Sequence, residues 1–212
     1  SVLFSDTLQA IGYGWESDVV MMMTPVIRDT VITDAELAVR ALRNEFYPYK
    51  PLWIVPHTSS DTGLWKDGVK IRERFTAQWL AIVSGATGIQ IVMPKDPCHT
   101  TPSLMQWAED SRMAFETAEL TSFLLQYDDQ PQYECSIKEI RVKGWIKDSA
   151  TIILAVNMVN QPLNVTLDTG DTTLSGDVEV MYENRRVISD HGRINDIIDG
   201  YGIRIYKLSR PR

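Results

Sequence analysis

Two rhythms of apolar and polar positions divide the chain. In the first 128 residues, three short apolar runs recur: Val19–Thr24, Leu52–Pro56 and Gly88–Pro94. They begin 33 and then 36 residues apart. Helical patterns lie between them. Thr33-x-x-Glu36 has the form of a capping box, and Leu37, Ala38, Ala41, Leu42 and Phe46 follow at helical spacing. Tyr47-Pro48-Tyr49-Lys50-Pro51 then stops that helix. A second helix is predicted over Ile71–Ser84, with Phe75, Trp79 and Ile82 on one side and Gly85 and Gly88 at its end. A third is predicted over Pro102–Tyr127, capped by Thr101 and opened by proline. Leu104, Trp107, Ala108, Ser111, Phe115, Ala118 and Leu125 form its expected buried face. Run, helix and run at this spacing predict a β/α repeat. Continuous rather than alternating runs suit parallel strands covered on both faces.

From Ile137 the texture changes. Ile137–Trp145, Ala150–Val159, Leu163–Leu167, Val178–Tyr182, Arg185–Ile188 and Gly202–Leu208 read as short strands. Turn signals separate them, among them Lys147-Asp148-Ser149, His191-Gly192 and Asp199-Gly200. Six or more short strands with regular turns predict an antiparallel sandwich. The break falls at Asp128-Asp129-Gln130-Pro131. Residues 1–130 are therefore expected to form an α/β domain and residues 131–212 a β-sandwich.

Composition narrows the function classes. Of 212 residues, 44% are hydrophobic and 23% charged, enough apolar surface to build a core. No apolar run approaches the ~18 residues of a membrane span. A net charge of −7 argues against a nucleic-acid partner. Cys98 and Cys135 are too few for a four-thiolate zinc site, but could form one disulfide or stay as two thiols. Asn164-Val165-Thr166 is an N-glycosylation sequon, short enough to arise by chance. Sequon and cysteines together lean towards a secreted protein. The first residue is Ser1, which fits a processed chain or a piece of a longer one.

The order of parts resembles that of glycoside hydrolases in which a (β/α)8 TIM barrel is followed by a β-sandwich. Lys50-Pro51-Leu52-Trp53-Ile54-Val55 looks like their seventh barrel strand. Arg74 to Ile89, with Phe75, Trp79 and Gly85-Ala86-Thr87-Gly88, looks like the next helix and the entry to strand eight. Trp107 and Glu116–Leu120 resemble the last helix. Ile153–Asn157, Val180–Arg185 and Gly200–Tyr206 resemble the trailing sandwich. The resemblance implies about strands six to eight of a barrel. A closed barrel needs eight strands and typically ~250 residues. Three strands are visible, and Ser1–Ile11 has room for a fourth. The remaining strands would come from an N-terminal half or a second polypeptide, because an open parallel sheet leaves exposed edges.

The resemblance also directs attention to the C-terminal ends of the strands, where barrel active sites lie. Each of these segments carries an aspartate: Asp29, Asp61 and Asp96. Glycoside hydrolysis uses two carboxylates, one protonating the leaving oxygen and one acting as nucleophile or base. Each aspartate has an ordinary alternative as a turn or cap residue. His57, Trp65, Arg28 and Lys95 are the candidate carbohydrate contacts, through hydrogen bonds and ring stacking. In the largest clan of barrel glycosidases, strand seven ends in a catalytic glutamate. Here it ends in His57-Thr58-Ser59-Ser60-Asp61, with none. Two readings stay open: an enzyme acting on or binding carbohydrate, and a non-catalytic subunit of an extracellular assembly on the same fold. No dinucleotide, phosphate-loop or Gly-x-Ser-x-Gly motif is present, and His57, His99 and His191 lack metal-ligand spacing. No cofactor and no metal are expected. Trp53, Trp79 and Trp107 are assigned to the core, and Met21-Met22-Met23 to packing.

Overall fold

A computed structural model describes residues 2–4, 18–23, 32–46, 50–55, 68–90, 101–126, 130–131 and 133–209. The chain divides into two compact units, Ser1–Thr121 and Ser122–Arg212. The division falls within the last turn of a helix, a few residues before the sequence break at Asp128–Pro131.

In the first unit, strands β1 (Val2–Phe4), β2 (Val20–Met23), β3 (Leu52–Val55) and β4 (Gly88–Ile89) lie side by side in chain order. All pairings are parallel, with Val2 opposite Val20, Val20 opposite Leu52 and Trp53 opposite Gly88. The room left in Ser1–Ile11 does hold a strand. Helix α1 (Thr33–Phe46) connects β2 to β3, and α2 (Gly68–Val83) connects β3 to β4. Helix α3 (Thr101–Leu124) follows.

Packing follows chemistry more closely than the simplest periodic reading. In α1 the buried stripe is Ala35, Val39, Leu42 and Phe46, while Leu37 points to solvent. From Glu73 to Val83, α2 is buried all round. Such a helix is an interior element, and its apolar residues surround it accordingly. Its C-terminus is closed at Gly85, whose φ of +116° disfavours any other residue. Gly85 and Ala86 N–H groups donate to Ile82 and Ala81 carbonyls. Thr87 then ties the next strand to β3: its hydroxyl accepts from Leu52 N–H at 3.0 Å and donates to Leu52 C=O at 3.2 Å.

The expected buried face of α3 is corrected. Ala108, Phe115, Ala118 and Leu125 are exposed, and the buried positions are Asp110, Met113, Glu116, Leu120 and Leu124. The side chains of Leu104 and Trp107 lie outside the described residues. Trp79 is fully buried, and Met21 and Met22 are buried as well. Trp53 is not core in this structure, since it keeps 39% of its surface exposed. Its indole lies across β4, where a Cβ on Gly88 would fall 2.8 Å from Trp53 Nε1.

The second unit is antiparallel. Its strands are β5 (Glu134–Cys135), β6 (Ile140–Lys147), β7 (Ala150–Asn157), β8 (Leu163–Asp168), β9 (Gly176–Val180), β10 (Arg185–Asp190), β11 (Arg193–Ile198) and β12 (Ile203–Ser209). They hydrogen-bond in the single order β5-β8-β11-β10-β9-β12-β7-β6. The expected sandwich is thus replaced by one continuous eight-stranded sheet. Geometry makes it roll. Cys135 and Ile140 are five residues apart, so β5 and β6 are at most about 18 Å apart. Eight strands laid flat would separate the two edges by about 34 Å. The sheet therefore curls until its edges approach. Its core is Ile140, Ile153, Ala155, Val165, Leu167, Leu174, Val178, Val180, Ile194, Ile198, Tyr206 and Leu208. His191 and Gly192 both have positive φ, and they form the tight turn that the sequence signalled between β10 and β11.

Candidate functional site

Parallel pairing fixes where a site can be built. β2, β3 and β4 end at Met23, Val55 and Ile89, with Met23 opposite Val55 and Ile54 opposite Ile89. All three C-terminal ends therefore share one edge of the sheet. The chain leaves that edge into the segments that carry Arg28, Asp29, His57, Asp61, Trp65, Lys95 and Asp96. Those seven residues lie outside the described residues, so their mutual distances are not part of the geometry. Cys98 does as well. Cys135 carries a free thiol, and burial raises its pKa above the ordinary value.

Two polar clusters that sequence reasoning did not single out lie within the described residues. In the first unit, Arg74 on α2 donates to both carboxylate oxygens of Asp110 on α3, at 2.9 and 3.1 Å. Gln78 Nε2, one turn along α2, reaches Asp110 at 3.5 Å. All three side chains are buried. Arg74 and Gln78 stand four residues apart on one side of α2, and that spacing was the available signal. With both carboxylate oxygens bonded to Arg74, Asp110 is a strut between helices. Arg112 lies over the Phe75 ring at 4.3 Å, and Phe75 meets Trp79 edge-on at 6.4 Å.

Glu116 is the described carboxyl group with the most perturbed acidity. Burial pushes its pKa from 4.5 to about 7, although Arg112 opposes the shift. A group of that acidity can exchange protons near neutral pH. Its position does not serve the strand ends. A helix after a strand runs back antiparallel to it, and Glu116 lies 15 residues into α3, about 22 Å from the first turn.

The second cluster sits in the β unit. Arg185 clasps Asp196 with hydrogen bonds of 3.0 and 2.8 Å and reaches Glu183 at 2.7 Å. Tyr206 OH donates to Asp196 at 2.9 Å. Arg204 bridges Glu183 at 3.1 Å and Asp199 at 2.8 Å. Burial alone would raise the Asp196 pKa, but hydrogen bonds from Arg185, Ile197 N–H and Tyr206 hold it below the ordinary value. Burial and the Asp196 charge push the Tyr206 phenol well above its usual range. Every charge has a partner, which marks this network as structural. Among the described residues, no group of three His, Cys, Asp or Glu side chains is placed to hold a metal. No described helix is long and apolar enough to cross a membrane.

No family model and no curated protein matches the chain. Solved structures match it in fold. AmyP bound to maltotriose aligns over 81% of this chain and 44% of its own, with a TM-score of 0.55 and 8% identity. A GH30 endoxylanase from Clostridium papyrosolvens aligns over 91% of this chain and 49% of its own, with a TM-score of 0.53 and 12% identity. The alpha-amylase from H. orenii aligns over 98% and 52%, with a TM-score of 0.52 and 10% identity. The chain thus spans about half the length of each. In fold, these residues are similar to about half of a glycoside hydrolase of the amylase or GH30 xylanase kind.

Proposed function

We propose that this chain is the C-terminal part of a glycoside-hydrolase-like protein that acts on or binds carbohydrate. Its four parallel strands would form the last portion of a (β/α)8 barrel, and the rolled antiparallel sheet would be the trailing domain. The observation that carries this reading is the order of the two units, an open parallel sheet and then an antiparallel one, aligned to about half of AmyP and of the xylanase. Trp53 supports it. Leu52, Ile54 and Val55 are buried, whereas Trp53 alone on this strand keeps 39% of its surface exposed. Closure of a barrel would cover it. The missing strands would come from an N-terminal half or a second polypeptide.

Asp29, Asp61 and Asp96 are the proposed acid, base or nucleophile, because parallel topology sends all three segments out from one edge. His57, Trp65, Arg28 and Lys95 would contact the sugar there. The absence of a glutamate from His57 to Asp61 favours a second reading, a non-catalytic structural or interaction subunit of an extracellular assembly built on the same fold. Hydrolysis and binding of maltooligosaccharides and xylooligosaccharides by the barrel-completed protein separate the two. In the enzyme reading, at least one of Asp29→Asn, Asp61→Asn and Asp96→Asn lowers turnover by about 100-fold or more while binding persists. Binding without cleavage by the wild type keeps the carbohydrate role and removes catalysis. Neither binding nor cleavage overturns the first reading and selects the second.

A further inference from the structure

The outer face of the rolled sheet holds an unused motif. Along β8, Val165 and Leu167 point into the core, while Asn164 and Thr166 face outward. Asn164 is exposed. β5 pairs with β8 at Leu167 and Asp168, and Ser136 carries the contact on to the backbone of Thr166, two residues short of Asn164. Directly opposite Asn164 on β11 is Ile197, which is 54% exposed. Residues opposite one another in an antiparallel pair hold their Cβ atoms about 5 Å apart. Ile188 on β10 is also exposed. Neighbouring polar side chains on this face pair with one another: Arg193 with Asp168, Arg186 with Asp177, and Thr166 with Asn195. Ile197 is thus an apolar side chain beside an exposed amide on a largely polar face.

We propose that Asn164 is an N-glycan acceptor and that the first N-acetylglucosamine seats its apolar ring face on Ile197. The sequon Asn164-Val165-Thr166 supplies the acceptor, and the Asn164–Ile197 pairing supplies the seat. In this modification the Asn164 side-chain nitrogen displaces a lipid pyrophosphate from C1 of the sugar, forming the N-glycosidic bond and losing a proton. The glycan then covers an isoleucine that the protein leaves bare.

The test is secretion of the 212-residue chain from a eukaryotic host, read by intact mass before and after glycan release. The wild type and Thr166→Ser should carry glycan mass at Asn164, while Asn164→Gln and Thr166→Ala should not. Trimming to a single N-acetylglucosamine should leave the melting temperature a few degrees above that of Asn164→Gln, and Ile197→Ser should abolish this difference. Secreted wild type without glycan mass overturns the site. Equal melting of the trimmed protein and Asn164→Gln, or a difference that survives Ile197→Ser, overturns the seat.

Discussion

Glu116 shows how a residue's neighbours decide its chemistry. It is 7% exposed on the buried side of α3, and Arg112, which lies at 3.7 Å, is itself half exposed. Burial therefore wins, and the folded state holds a proton that the unfolded chain releases near pH 4.5. The sign follows from proton counting. Between pH 4.5 and about 7 the folded state binds more protons, so stability falls as pH rises through that window. The full swing is about 3 kcal/mol. Glu116→Gln should remove this slope and raise stability at pH 8. Urea unfolding at pH 5 and pH 8 checks it, and an unchanged slope in the variant would exclude Glu116 as the source. This residue was not legible beforehand. The face of α3 was read from its apolar positions, but Asp110 takes a core position because Arg74 neutralises it there. Phe115 correspondingly turns outward. The pattern of a helix misleads wherever a buried ion pair replaces an apolar contact.

Among elements, the β unit depends on one side chain between strands. Asn157 ends β7 and is fully buried. Its Nδ2 donates to Gln161 C=O at 2.8 Å, Asp199 C=O at 2.8 Å and Ile198 C=O at 3.2 Å, and its Oδ1 accepts from Val159 N–H at 3.0 Å. One amide thus pins the β7–β8 turn to the end of β11. Asn157→Ala should cost about 2–4 kcal/mol by stranding buried carbonyls. Chemical denaturation measures it, and a loss under about 1 kcal/mol would show that water replaces the amide. Most elements were legible, including the helix over Thr33–Phe46 and the turn at His191-Gly192. Strand β11 was not. Its sequence Arg-Ile-Asn-Asp-Ile-Ile places Asp196 inward between Ile194 and Ile198, and only the facing Arg185 and Tyr206 make that position tolerable. Strand β5, with two residues, is too short for any periodicity to register.

At the scale of the molecule, the two units differ in completeness. The antiparallel sheet rolls on itself and has its own continuous core, and Gln130 accepts a hydrogen bond from Ile146 N–H at 2.9 Å. A fragment spanning residues 130–212 should therefore fold alone and melt cooperatively. Residues 1–121 alone should associate, because β1 and β4 have no further neighbour among the described residues. Circular dichroism and sedimentation test both; a fragment 130–212 without a cooperative transition would contradict a self-sufficient core in the rolled sheet. The β/α repeat and the change to short strands could both be read from the chain, because they rest on patterns within a few turns of helix or a few residues of strand. The strand order β5-β8-β11-β10-β9-β12-β7-β6, the inward Asp196 and the Arg74–Asp110 strut could not. Each joins residues far apart along the chain, and a contact of that kind leaves no periodicity behind. Pairing between distant segments is settled by packing and by which charges find partners, and so it belongs to three dimensions.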